Sequence, residues 1–442
     1  MTLGCKVNQY ETQLVKESLE TNGYREAAEG EAADVCVVNT CTVTGEGDAK
    51  SRQLVRRLHE ANPGAAIIVM GCYASRDPGA VARLPGVTRV ITDKAKLADE
   101  LRPFGVKNLR AGIRRFDGHQ RAFVKVQDGC LLNCSFCIIP KVRPVLRSRS
   151  IEEIGDEVSR LVAGGWREIV LTGIHLGHYG IDLSRGKPKE QWRRLWHLLE
   201  ALCRLPGEFR IRLSSLEAAE ARDDLIRVMA QQPRIVPHLH LCLQSGSDRI
   251  LALMKRRYRS AGFLERCRRL QQALDRPALT TDVIVGFPGE TEDDFQATCR
   301  VLREGGFSRI HVFSYSPRRG TNAASYDGRV PPTVIKDRRQ RLQMLGRELE
   351  TVYYRSLLGR TMEVLVEGPD PHRPAQVIGH CCRYAPVSFP GHAPALVRKL
   401  VAVRAERLEQ GTIIGAPEEL APRAPDVLFD RRARIPLPIA VN

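Results

Sequence analysis

The sequence predicts an α/β protein with three parts: an open parallel sheet, a partial barrel of six strand–helix units, and a small C-terminal β-barrel. Short apolar runs alternate with helical periodicity over residues 1–100, and six further strand-then-helix units follow between residues 121 and 315. Closely spaced strand patterns without helices between them begin at residue 361. Strands that alternate with helices are typical of parallel sheets, and six units are too few for a closed eight-stranded barrel.

The N-terminal sheet is predicted from two buried strands, Asp34–Asn39 and Ala65–Met70. Helical patterns precede each of these strands, around residues 11–21 and 49–61. Three separated cysteines, the spread triplet, lie at strand ends: Cys5 ends a short opening strand, and Cys41 and Cys72 follow the two buried strands. Because ligands of open parallel sheets bind beyond the carboxyl ends of the strands, we expect these cysteines to lie close together.

The central barrel is predicted from six strand patterns with helical stretches between them, for example Ile151–Ala163 and Glu292–Arg303. The strands are Ala122–Gln127, Glu168–Thr172, Phe209–Leu213, His238–Leu243, Leu279–Val285 and Arg309–Tyr315. Residues 101–121 are polar and basic, and they are predicted to be a linker between the sheet and the barrel.

The C-terminal part begins with a basic helical pattern, Val334–Leu358. After it, strand spacing predicts a small β-barrel. Its strands are expected at Thr361–Gly368, Ala375–Ile378, Leu396–Val403 and Gly411–Gly415. The segment from Ala421 onward is rich in Pro and Arg and is predicted to be an extended tail.

The chain is basic, with 68 Lys and Arg against 51 Asp and Glu and a formal net charge of +17. This excess favours a polyanionic partner, and RNA is favoured over a membrane because no amphipathic anchor stands out. No apolar run approaches the roughly 18 residues that a membrane span needs, and no signal segment is visible, so a cytoplasmic protein is expected. There, thirteen cysteines indicate metal or redox use rather than disulfides.

The strongest local motif is GCLLNCSFC, which carries Cys130, Cys134 and Cys137, the tight triplet. It follows the first barrel strand directly, on the face where barrel enzymes place their active sites. A structural zinc ion would want four protein ligands, commonly two CxxC pairs; one such pair is present, with no histidine in the loop. Iron–sulfur ligation by thiolates is therefore favoured, with one iron of a cubane left open.

Short motifs that occur in order over roughly residues 1–415 resemble those of the radical-SAM methylthiotransferases. They are LGCKVNQYET, NTCTVT, VMGCY, DGCLLNCSFCIIP, VLTGIHLGHYGID, RLSSLE, LQSGSDRIL, DVIVGFPGET and FSYSPRRGT. The resemblance implies an N-terminal methylthiotransferase domain at 1–105, a radical-SAM core at 116–350, a TRAM-like RNA-binding domain at 356–420 and a tail at 421–442.

The resemblance also implies the cofactors. The tight triplet would hold a [4Fe–4S] cluster that binds S-adenosyl-L-methionine (SAM) and cleaves it to a 5′-deoxyadenosyl radical. The spread triplet would hold a second [4Fe–4S] cluster, whose open iron carries or relays the inserted sulfur. Candidate SAM contacts are Gly173, His175, Ser214 and Gln244, which follow barrel strands; each position also suits a plain strand-to-helix turn.

Three of the motifs, LGCKVNQ, NTCTVT and LTGIHLG, resemble the branch that acts on N6-threonylcarbamoyladenosine at position 37 of tRNA. Adenine C2–H is inert to side-chain bases, so sulfur insertion there calls for radical chemistry. The resemblance implies that two SAM molecules are used, one as methyl donor and one as radical source, and that an electron donor and a sulfur source are partners.

Two kinds of alternative remain open at this stage. One is the same chemistry on N6-isopentenyladenosine-37 of tRNA or on a protein side chain. The other is a noncatalytic iron–sulfur protein that binds RNA, although structural clusters normally have four protein ligands.

Overall fold

The computed structural model describes residues 1–418 and has the predicted α/β architecture of open sheet, partial barrel and closed β-barrel. The N-terminal sheet is parallel, with its three strands in sequence order: β1 (Val35–Thr40), β2 (Ala66–Gly71) and β3 (Val87–Val90). Its helices are α1 (Lys6–Thr21), α2 (Gly45–Ala61), α3 (Cys72–Arg76), α4 (Pro78–Ala82) and α5 (Leu97–Leu101).

Two features of this sheet differ from the sequence prediction. β3 was not predicted, because it has four residues and none of them is fully buried. The opening strand is reduced to a parallel bridge between Thr2 and Asn39. Backbone hydrogen bonds from Leu3 N to Asn39 O (2.8 Å) and from Asn39 N to Met1 O (3.0 Å) still align this segment with β1.

The central barrel is open and consists of two four-stranded sheets in the orders β5-β4-β6-β7 and β11-β10-β9-β8. Its strands are β4 (Ala122–Asp128), β5 (Arg147–Ser148), β6 (Glu168–Gly173), β7 (Arg210–Leu213), β8 (Ser215–Leu216), β9 (His238–Leu241), β10 (Ala278–Val285) and β11 (Arg309–Ser314). An isolated parallel bridge between Ile211 and Ile235 joins the two sheets. All six predicted strands are present, and the added β5 and β8 have two residues each.

Helices cover the outside of the barrel, and their apolar faces form the largest core of the protein. They are α6 (Ile139–Val142), α7 (Ile151–Ala163), α8 (Leu195–Cys203), α9 (Asp223–Gln231), α10 (Asp248–Leu253), α11 (Ser260–Ala273) and α12 (Glu292–Gly305). The segment predicted as a linker is part of this core: Ile113 and Phe116 are buried, and Ile113 N donates to Glu157 Oε1 at 2.7 Å. Backbone donors of the segment thus find partners inside the protein.

A long helix, α13 (Pro332–Arg355), leads to a closed five-stranded β-barrel in the order β12-β13-β14-β16-β15. Its elements are β12 (Thr361–Pro369), β13 (Gln376–Cys381), β14 (Pro386–Pro390), α14 (Ala393–Leu396), β15 (Leu400–Glu409) and β16 (Thr412–Glu418). β14 was missed in the sequence because a proline stands at each end, and proline reduces strand propensity. The predicted tail at 421–442 lies outside the described residues.

The C-terminal β-barrel docks on the amino end of the central barrel through buried arginines. Glu168 at the start of β6 pairs with Arg210 and Arg212, and all three side chains are almost fully buried. Burial opposes ionisation of Glu168, but Arg212 and Arg210 outweigh it and hold its pKa well below the usual range. Arg210 Nη1 donates to the carbonyl of Glu363 (2.8 Å) and its Nη2 to that of His380 (3.0 Å).

Across the described residues 1–418, the helices are all too short or too polar to cross a lipid bilayer.

Candidate active site

The tight triplet lies on the loop between β4 and α6, at the carboxyl edge of the barrel. Gly129 opens this loop with φ of +80°, and a β-carbon there would overlap the carbonyl of Val145. Burial raises the pKa of Cys130 to about 11 and that of Cys137 to about 12, and neighbouring cysteines of the triplet add to both shifts. The loop therefore gathers three partly buried thiols in one place.

Protein nitrogens face two of these sulfurs. His175 Nδ1 lies 3.5 Å from Cys130 Sγ, and Arg256 Nη1 donates to Cys134 Sγ at 3.2 Å. Arg256 is buried and ion-paired with Glu217. Arg256 stands in a basic run, Lys255–Arg257, that has the composition of an RNA phosphate contact, but its guanidinium is buried against the cysteine loop.

His175 and His178 form a stacked pair next to this loop, and both contact the carboxylate of Glu220. His175 Nε2 is 2.9 Å from Glu220 Oε2, His178 Nε2 is 3.2 Å from Glu220 Oε1, and the two rings stack with centroids 3.7 Å apart. Burial opposes ionisation of Glu220, but its contacts with the two histidines lower its pKa to about 2. Gly177 is required between them, because a β-carbon there would overlap Glu220 Oε2.

The spread triplet assembles at the carboxyl edge of the N-terminal sheet, as the sequence predicts. Cys5 caps α1, Cys41 follows β1, and Cys72 opens α3 directly after β2. Burial raises the pKa of Cys41 to about 11, with Cys72 and Cys5 close enough to add to the shift. Asn8 ties two of these segments together by donating to Leu3 O (2.9 Å) and to Thr40 O (3.0 Å).

The two triplets belong to adjoining surfaces. Cys72 packs against Ile138 and Val142, on the helix that begins two residues after Cys137. Arg143, at the end of that helix, donates to Cys72 Sγ at 3.4 Å. The N-terminal domain therefore rests directly on the cysteine loop of the barrel.

Arg143 is also the centre of a buried charge network that the sequence analysis missed. Its Nη1 donates to Glu11 Oε1 (2.9 Å) and to Asp128 Oδ1 (2.8 Å). Glu11 also accepts from Lys94 and Lys125, both at 2.7 Å. Burial opposes ionisation of Asp128, but Lys125 and Arg143 lower its pKa to about 2. The signal in the sequence that could have pointed to this network is the position of Arg143, six residues after Cys137 at the end of the cysteine loop.

A second contact holds the segment after Cys41. Arg318, from the loop after β11, donates to Thr42 Oγ1 at 2.9 Å and pairs with Asp48. Arg76 pairs with the same carboxylate at 2.6 Å. Arg318, Thr42 and Asp48 are buried, so this contact fixes the N-terminal domain on the open side of the barrel.

The predicted SAM contacts all lie at carboxyl ends of barrel strands. Gly173 ends β6, Ser214 follows β7, and Gln244 follows β9 with φ of +66° and a parallel bridge to Val283. Both ring nitrogens of His175 have partners within the protein, so its ring is committed to the cysteine loop. Among the residues that the structure describes, neither the Ser214 nor the Gln244 side chain contacts a cysteine of the tight triplet.

Both triplets fit iron–sulfur clusters by their chemistry. Each brings three cysteines together, and each sets an arginine against one sulfur: Arg256 on Cys134 and Arg143 on Cys72. Thiolate is the form that binds iron, and a guanidinium offsets the negative charge of a metal-bound sulfur. Three thiolates per cubane leave one iron available to a non-protein ligand.

Comparisons with known proteins agree with this geometry. Family models match residues 1–92 as "Uncharacterized protein family UPF0004", residues 124–302 as the radical SAM superfamily and residues 355–415 as the TRAM domain. The crystallised radical S-adenosylmethionine methyltransferase TsrM from Kitasatospora setae shares the fold, with TM-score 0.52 and 13% identity over 69% of this chain and 70% of that one. The open barrel with its tight triplet thus defines a radical-SAM enzyme.

Full-length relatives narrow this class. The threonylcarbamoyladenosine tRNA methylthiotransferases MtaB of Bacillus subtilis and Chlamydia pneumoniae are 39% and 38% identical, over 91% and 93% of this chain and 92% and 96% of theirs. A tRNA-2-methylthio-N(6)-dimethylallyladenosine synthase of Corynebacterium urealyticum is 36% identical over 85% of this chain and 73% of its own. The chain belongs to the radical-SAM methylthiotransferase family.

Proposed function

We propose that this enzyme transfers a methylthio group to C2 of N6-threonylcarbamoyladenosine at position 37 of tRNA, using two [4Fe–4S] clusters and two SAM molecules. The observation that carries the proposal is that the two triplets lie on adjoining surfaces: Cys72 packs against Ile138 and Val142, which follow Cys137 in the chain. Identity of 38–39% to proteins named for this reaction supports the choice of substrate.

Each triplet has its own role in this proposal. Cys130, Cys134 and Cys137 would hold the cluster that supplies reductive cleavage of SAM, and Cys5, Cys41 and Cys72 would hold the cluster from which sulfur is delivered. Gly173, Ser214 and Gln244 line the strand ends beside the tight triplet, where backbone and hydroxyl groups suit a SAM molecule. Arg256 and His175 compensate charge on the sulfurs of Cys134 and Cys130.

Two features support a nucleic acid as the partner: the net charge of the chain and its C-terminal β-barrel. The net charge of +17 favours a polyanion, and the TRAM match covers residues 355–415. An electron donor and a sulfur source complete the reaction as partners of the same site.

The test is nucleoside mass spectrometry of tRNA from a deletion strain, complemented with wild-type or variant chain. Wild type restores 2-methylthio-N6-threonylcarbamoyladenosine. Cys130→Ala restores neither product nor SAM cleavage by the purified protein, whereas Cys72→Ala cleaves SAM without making product. Restoration of the 2-methylthio-isopentenyl nucleoside instead would refute the substrate, and SAM cleavage by Cys130→Ala at the wild-type rate would refute the role of the tight triplet.

A further inference from the structure

A cavity of about 350 Å³ lies inside the open barrel, bounded by β7, β9, β10 and β11. Lys6 of α1 borders it from the N-terminal domain, and Tyr384 borders it from the C-terminal β-barrel. Ser214, a predicted SAM contact, lies on the same wall. The volume is in the range of small-ligand sites, and all three parts of the protein contribute to it.

The cavity carries an excess of positive charge. Four cations line it, and among the described lining residues Asp282 is the only acid. Two of the cations are occupied, since Arg212 pairs with Glu168 and Arg383 with Asp275. Asp282 is itself 3.2 Å from His240 Nε2. Lys6 and Arg309 therefore remain without an anionic partner in the part of the chain that the structure describes.

Lys6 is directed into the barrel. Its ammonium lies 5.9 Å from the ring centroid of Phe123 on β4, so it reaches across the open side of the barrel. It also adjoins Cys5 in the chain, which sets a cation one residue from the spread triplet.

The inner face of β11 adds an aromatic surface to this charge. Arg309, His311 and Phe313 alternate along the strand and therefore share one face. Phe313 is 48% exposed, which is unusual for a large apolar side chain on the inside of a barrel. Exposed aromatic rings next to cations are a common platform for stacking an unpaired base.

We propose that this cavity receives the modified adenine, with Phe313 against the base and Lys6 and Arg309 paired with the carboxylate of its N6 substituent. The assignment rests on the proposed function, because the threonylcarbamoyl group ends in a carboxylate. An isopentenyl group is uncharged and would leave both cations desolvated without a partner, which is costly. The cavity therefore selects substrate by charge, independently of the RNA backbone.

The test compares binding of anticodon stem–loops that carry threonylcarbamoyladenosine, unmodified adenosine or isopentenyladenosine at position 37. Lys6→Gln and Arg309→Gln are each expected to weaken the first ligand about tenfold to one hundredfold, the range for a charge-assisted hydrogen bond. Binding of the other two stem–loops is expected to stay unchanged. Lys50→Gln, on the exposed face of α2, is the matched control. Arg309 is far in sequence from both cysteine triplets, so an effect of Arg309→Gln cannot come from a disturbance of its neighbour in the chain, as it could for Lys6 beside Cys5.

Four results would overturn the assignment. If both variants bind all three stem–loops more weakly by the same factor, Lys6 and Arg309 contact RNA phosphate instead. If the variants raise the KM for SAM in cleavage assays without tRNA, the two residues contact the SAM carboxylate. Unchanged binding by both variants, or wild-type binding indifferent to the N6 substituent, would remove the pocket's role. Failure of wild type to form product from the threonylcarbamoyl substrate would instead refute the proposed function itself.

Discussion

Replacing Arg143 by Met removes the residue that joins the two cysteine sites. The Arg143 side chain is 3% exposed and that of its partner Glu11 is 5% exposed. It donates to Glu11, Asp128, Asn8 and Cys72 Sγ. Met keeps an unbranched apolar stem but ends before the guanidinium, so the substitution deletes the charge and all of the donors.

The expected cost follows from the partners that remain. Breaking a buried ion pair by removing one member costs about 3–5 kcal/mol, because the other charge stays buried. Lys94 and Lys125 still contact Glu11, each at 2.7 Å, so the cost lies at the lower end, about 3 kcal/mol. For domains of this size 1 kcal/mol corresponds to about 2–4 °C in Tm, so we expect a loss of about 6–12 °C.

The assay is anaerobic calorimetry together with iron analysis after reconstitution. Arg83→Met is the matched control, because Arg83 is an exposed residue of the N-terminal domain that Arg143 contacts, and its substitution removes the same charge. Arg143→Met is also expected to lower the iron content from about eight toward about four per chain, since Cys72 loses its cationic donor while the tight triplet is untouched. Equal stability of the two variants, within about 0.5 kcal/mol, together with full iron loading would show that Arg143 does not couple the sites.

Two further predictions concern buried carboxylates. Gly177→Ala is expected to displace Glu220 from both histidines, because the new methyl group overlaps a carboxylate oxygen of Glu220. The displacement is measured as a shift in the electron paramagnetic resonance spectrum of the reduced tight-triplet cluster. Gly155→Ala, on the open face of α7, is the control. Asp128 has its folded pKa lowered to about 2, so its contribution of about 2 kcal/mol is present above pH 4 and lost as pH falls toward 2. Urea unfolding of the apoprotein between pH 6 and pH 3 checks this, and a wild-type slope matched by Asp128→Asn would contradict it.

Much of the fold was predictable because strands and helices alternate with clear periodicity. All six main strands of the barrel follow that pattern, and the carboxyl-edge rule for parallel sheets predicted that Cys5, Cys41 and Cys72 would come together. β3 and β14 were missed because one is short and half exposed and the other is bounded by prolines. Local periodicity carries no information about such edge pairings.

The charged residues of the site were the harder part. Arg143, Arg256 and Glu220 act through partners more than 40 positions away in the chain, and nothing local distinguishes them from surface residues. Arg256 shows the consequence: beside Lys255 and Arg257 it resembles a phosphate-binding patch, yet it is buried against Cys134. Counting charged residues in a sequence gives the net charge of the protein. Only burial in the fold shows which of those charged side chains are on the surface.

The interface between the two barrels constrains the amino-acid sequence more strongly at some positions than at others. Arg210 and Arg212 donate to the main-chain carbonyls of Glu363, His380, Cys381 and Cys382, and every residue type carries such a carbonyl. Other parts of the interface depend on side chains of the β-barrel: Arg383 pairs with Asp275, Glu367 pairs with Arg121, and the ring of Tyr384 packs against the guanidinium of Arg212. A foreign β-barrel grafted onto this enzyme would therefore need these three side chains as well as the same strand path.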